Sequence, residues 1–86
     1  MQPIHELLSQ IRWDPNFVGE FEVAFVDHMK PELQRVPVNE MRFESSHPTA
    51  FRAFDDEGNL VSIPLHRIRR VYRNGQLIWS RDDPEG

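Results

Sequence analysis

Between residues 63 and 79 the chain reads IPLHRIRRVYRNGQLIW, which sets four arginines and His66 among apolar residues. Arginine suits phosphate because its planar fork offers paired N–H donors to two phosphate oxygens and stays charged at any working pH. A histidine beside it can donate to the same anion when protonated, or accept from a ribose hydroxyl when neutral. Arg67, Arg69 and His66 are therefore candidate anion-binding residues. A plainer reading stands next to this one. Arginines alternating along a strand are often only a solvated face, and Arg67 or Arg69 can simply pair with the surplus of acids.

That surplus is real but unevenly placed. The 86 residues carry a formal net charge of -4, yet residues 1–65 hold five basic and eleven acidic side chains, while residues 66–81 hold five arginines and no acid. The closing DDPEG, residues 82–86, is acidic again and is expected to be a disordered tail. An acidic whole argues against broad duplex binding, which rests on neutralising many phosphates at once, and leaves room for a small local anion site. The absence of cysteine excludes disulfides, thiolate zinc sites and thiol nucleophiles, and suits a reducing compartment. No stretch approaches the roughly 20 apolar residues of a membrane span. A cytoplasmic protein with no membrane association is the expectation.

Enzyme signatures are sparse. The four histidines, at 5, 28, 47 and 66, form no HExxH and no paired His-x-Thr elements, and no Gly-rich phosphate loop is present. No metal and no cofactor are expected. A general acid-base pair of His5 and His66 acting on a cyclic phosphate remains open.

One domain is all that 86 residues support. Ile4, Leu7, Leu8 and Ile11 recur at helical spacing after Pro3, so a helix is expected over 3–12, ended by Asp14 ahead of Pro15. On that helix His5 and Arg12 fall side by side at the border of the apolar stripe. EFEVAFVDH alternates as a strand whose core-facing row is Phe21, Val23, Phe25 and finally Asp27. LQRVPV reads as a short edge strand weakened by Pro37, MRFES and TAFRAFD as strands around the loop SHP, and DDEGN as a tight turn into LVSIP, closed by Pro64. Residues 65–73 fit either a helical face or a strand; Asn74-Gly75, which suits a type I′ turn, favours a hairpin. Its simplest register pairs Tyr72 with Leu77 and Arg70 with Trp79. Ile68, Tyr72, Leu77 and Trp79 then share one face, with Arg67, Arg69 and Arg73 on the other beside Val71 and Ile78. Trp79 is expected to be buried. The fold class is α+β: an N-terminal helix packed on an antiparallel sheet that ends in a β-hairpin.

The order and spacing of IRWD at 11–14, FEVAFVDH at 21–28, IPLHRIR at 63–69 and NGQLIWSR at 74–81 resemble the RNA cyclic group end recognition domain family. The resemblance covers nearly the whole chain. It implies a module that recognises RNA ends carrying a cyclic phosphate, found alone or joined to RNA-processing enzymes; binding of an RNA 3′ end bearing a 2′,3′-cyclic phosphate or phosphate, without catalysis, is the expectation. It falls on Arg12 and Asp14, on Asp27, and on His66, Arg67 and Arg69 as RNA- or phosphate-binding residues. Two departures stand out: Phe25 lacks the hydroxyl of the tyrosine-containing version of the second motif, and His28 stands where that version has arginine.

Structural roles compete for several of these positions. Asp14 before Pro15 suits an Asx turn, Asp27 can anchor an arginine, and Trp13 and Tyr72 can belong to the core rather than stack on a base. A protein-interaction module, docking an acidic partner on the arginine face or at the edge strand, is the remaining alternative.

Overall fold

The computed structural model describes residues 2–81, and the acidic tail expected over 82–86 lies outside the described residues. The first element, α1 (Ile4–Trp13), starts after an extended Pro3 and stops at Asp14, whose N–H still donates to the Gln10 carbonyl at 2.9 Å. Pro15 explains the stop, since the residue before a proline is pushed out of helical geometry. Ile4, Leu7 and Leu8 are buried, Leu8 to 2% exposure, and Ile11 packs against the same core. Each such burial contributes roughly 1.5–3 kcal/mol.

The strands that follow are β1 (Phe21–Phe25), β2 (Gln34–Pro37), β3 (Arg42–Phe43), β4 (Ala50–Phe54), β5 (Leu60–Pro64), β6 (Ile68–Arg73) and β7 (Gln76–Ser80). They form two antiparallel sheets, in the orders β2-β1-β6-β7 and β3-β4-β5. The fold is therefore α+β, a single domain in which one core joins α1 to both sheets through Leu8, Val23, Phe51, Ile63, Ile68 and Val71. Strand β2 lies at an edge, where the missing N–H of Pro37 costs no ladder bond. Between β4 and β5, the Asp55 carboxylate accepts the N–H groups of Glu57 and Asn59 at 2.9 and 2.8 Å. Those bonds hold its carboxyl below the ordinary value of 3.8, the Asn59 N–H being the largest cause.

Residues 65–73 divide between the two readings of the sequence. Leu65–Arg67 is a single 3₁₀ turn after Pro64, and Ile68–Arg73 is strand. Asn74 and Gly75 both take positive φ, 51° and 83°, and Tyr72 faces Leu77 as expected. Beyond that pair the expected register fails: Trp79 faces Val71, and Arg70 faces Ser80. Ile78 is the extra residue of a β-bulge, and a second bulge makes Arg69 extra where β6 meets β1. Packing explains the shift, because it brings Val71 and Trp79 into the core together with Ile68. The expected arginine face of Arg67, Arg69 and Arg73 consequently does not exist. Arg67 precedes the strand, Arg69 sits in the bulge, and Arg73 closes against the β1 entry, donating from Nε to the Val18 carbonyl at 2.8 Å. Tyr72 and Arg70 take the outer face instead, where Arg35 lies 4.0 Å over the Tyr72 ring. The guanidinium groups of Arg70 and Arg35 lower the pKa of that phenol.

Candidate functional site

The turn Leu65–Arg67 is tied down from three directions. α1 packs beside it, the Leu65 N–H donates to the Thr49 carbonyl at 2.9 Å, and Arg81 reaches it from the end of β7. Arg81 donates from Nε to the Ile68 carbonyl at 2.8 Å and from Nη2 to the Leu65 carbonyl at 2.9 Å, with its guanidinium 5.3 Å from the Trp79 ring. Burial, and after it the nearby Arg69, lowers the Arg81 pKa. The indole of Trp79 is itself fixed, since its Nε1–H donates to the Gln2 carbonyl at 2.7 Å. A rigid corner thus carries two consecutive polar side chains, His66 and Arg67.

His66 is exposed and lines an open cleft of about 810 Å³ between α1, the β3–β4 loop and this turn. Arg12, His5, His47, Ser9 and Arg81 line it too. Arg12 lies 4.1 Å over the Phe43 ring and 5.0 Å from the Trp13 ring, and makes no hydrogen bond or ion pair among the described residues. Glu44 is the one acid among the described lining residues, and it is engaged by Arg52 at 3.1 Å and by His47 at 3.4 Å. Among the described residues the cleft therefore presents donors whose charge is not cancelled locally, as an anion requires.

Arg67 lines a different and smaller cleft, of about 330 Å³, with Asp27, Lys30, Gln34, Asp55 and Asp56. Its side chain forms no ion pair among the described residues, and its Nε is sealed from solvent without a hydrogen-bond partner. Acids dominate the surroundings, with Lys30 already held by Asp56 at 2.6 Å. Asp27 lies beyond the end of β1 rather than on its core-facing row, and its carboxylate accepts the Met29 N–H at 2.9 Å in an Asx turn. Among the described residues it forms no ion pair with an arginine.

The remaining two candidates serve the backbone. Asp14 closes α1 through an Asx turn, accepting the Asn16 N–H at 2.9 Å. Arg69 donates from Nη1 to the His66 carbonyl and, at 3.5 Å, to the Ile68 carbonyl. The six residues singled out from the sequence are thus not one constellation. Arg12 and His66 meet in the larger cleft, Arg67 and Asp27 in the smaller, and Asp14 and Arg69 line neither.

Arg81 and His47 are the residues that the sequence reading passed over. Arg81 had a signal, since it ends NGQLIWSR and belongs to the basic segment; His47, alone in the loop SHP, had none. Among the described residues no group of three or more His, Asp or Glu is gathered as a metal site needs, and no helix is long and apolar enough to cross a membrane.

A family model described as the MJ1316 RNA cyclic group end recognition domain matches residues 1–81. A UPF0248 protein of Metallosphaera sedula is 32% identical over 78 residues, covering 91% of this chain and 91% of that protein. No solved structure matches the chain.

Proposed function

The chain belongs to the MJ1316 RNA cyclic group end recognition domain family, and on that premise we propose that it binds RNA 3′ ends bearing a phosphate or 2′,3′-cyclic phosphate in the cleft of Arg12, His66 and Arg81. One observation supports the reading: among the described residues Arg12 enters that cleft with no carboxylate partner, beside His66, whose carbonyl accepts from Arg69 and whose preceding carbonyl, that of Leu65, accepts from Arg81. An exposed guanidinium grips two phosphate oxygens, His66 supplies a further donor or accepts from the ribose, and the fixed turn limits the ordering cost of binding. A module that holds an end without altering it suits partnership with RNA-processing enzymes.

The test is titration of one short RNA ending in a cyclic phosphate, a 3′-phosphate or a hydroxyl. Loss of hydrogen bonds to the charged group predicts that the hydroxyl end binds about 10- to 150-fold more weakly. Equal affinity for all three ends contradicts the proposal.

The placement of His5 and His66 in the same cleft favours a second reading, an acid-base phosphoesterase. Excess protein incubated with cyclic-ended RNA is expected to leave the ring closed. Ring opening that disappears in His66→Ala decides for the enzyme.

A further inference from the structure

Trp13 is 71% exposed, although it is one of the two tryptophans, the largest side chains in the sequence. Its position is nonetheless well defined. It is the last residue of α1, and the chain leaves it through the Asp14 Asx turn, with the Phe17 N–H donating to the Asp14 carbonyl at 3.1 Å. The other tryptophan, Trp79, is 7% exposed and hydrogen-bonded, so the two indoles of the chain differ sharply in environment.

Trp13 lines a groove of about 1000 Å³ next to the histidine cleft. Arg12 and Phe43 line both, which makes them the wall between the two spaces. The Arg12 guanidinium lies close to both flanking rings, Phe43 and Trp13, so a phosphate held by Arg12 stands next to the exposed indole. Acids decide what belongs on the far side. Glu20, Glu22 and Glu40 line the groove, repelling further phosphates while tolerating an uncharged ring.

Resting on the end-binding reading above, we infer that Trp13 is a stacking ledge for the nucleobase one ribose away from the phosphate held in the histidine cleft. The site then reads two parts of a nucleotide, its anion on the Arg12 and His66 side and its base on the Trp13 side. Stacking is tolerant of base identity, because every base has a π-face. The ledge therefore adds affinity without adding sequence preference.

The experiment uses a short RNA ending in a 3′-phosphate, and the same RNA with its terminal nucleotide abasic, titrated into the wild-type protein while indole emission is followed. Quenching by the intact RNA and little change with the abasic one is the expected result, with the signal absent in Trp13→Phe, which retains only Trp79. Trp13→Ala should lose about 5- to 150-fold in affinity for the intact RNA, Trp13→Phe clearly less, and neither should change affinity for the abasic RNA. Circular dichroism confirms folding of both variants. Binding of the phosphorylated RNA with unchanged emission and an unaffected Trp13→Ala overturns the ledge and leaves end binding standing. Failure of every RNA to bind overturns both. Loss of indole exposure with protein concentration alone, without RNA, assigns the groove to a second copy of the chain and also overturns the ledge.

Discussion

His66 and Arg67 are neighbours in one 3₁₀ turn, yet they line two clefts of opposite character. Among the described residues the His66 side holds Arg12 and Arg81, with one acid that two other residues already engage, and the Arg67 side holds Asp27, Asp55 and Asp56 around a lysine. The basic stretch that dominates the sequence is therefore dispersed in space, and the proposed anion site draws from α1 a guanidinium with no ion pair among the described residues. What decides an anion site is the balance of charge converging on one volume, not the density of arginines along the chain.

The largest expected effect concerns the corner that separates the two clefts. Arg81→Ala removes two charge-assisted hydrogen bonds, to the Leu65 and Ile68 carbonyls, and should destabilise the fold by about 2–4 kcal/mol, read by thermal or chemical denaturation. An unchanged melting temperature means the turn is held some other way. Next comes the contrast between the clefts themselves. Arg12→Ala should weaken binding of 3′-phosphorylated RNA by about 1.5–3 kcal/mol, whereas Arg67→Ala should change it by less than about 0.5 kcal/mol. Equal losses, or a larger one for Arg67, reverse the assignment of the two clefts.

Gly75→Val is a smaller perturbation and tests the hairpin that delivers Arg81. A β-branched side chain at a φ of 83° should cost at least about 1 kcal/mol. Among the described residues no atom lies within 4 Å of where its Cβ would sit, so the strain is in the backbone alone.

The smallest effect belongs to the acidic side. The Asp55 carboxyl titrates below its ordinary 3.8, so it stabilises the β4–β5 turn above that pH, and the contribution disappears as pH falls through the lowered value. Near neutral pH the wild type should melt above Asp55→Asn, and the gap should close on acidification below 3.8. A gap that persists or widens in acid contradicts the role given to that carboxylate.

Legibility followed the range of the interactions. The Ile4, Leu7, Leu8 and Ile11 spacing showed α1, Asn74-Gly75 showed its turn, and Pro37 and Pro64 marked an edge and a strand end, because each is a local backbone preference. The bulges at Arg69 and Ile78 were not legible. They arise from which side chains the core accepts, and a period of two carries no mark of the extra residue. Missing the bulges turned Val71 outward and produced an arginine face that does not form. At the site, the family resemblance pointed to Arg12 and His66, but only the packing of α1 against the Leu65–Arg67 turn shows that they share a cleft and that Arg67 does not. A core role is the usual expectation for Trp13, because small domains bury their aromatics; at the end of α1 it lies 71% exposed instead.

The central claim is that binding is confined to one anion pocket, and salt dependence tests it most directly. Affinity of cyclic-ended RNA, measured at several salt concentrations, should fall with log salt at a slope of about -0.7 to -1.4, the value for one or two phosphates on a single strand. A slope near about -3.5, as five arginines tracking a backbone would give, contradicts it.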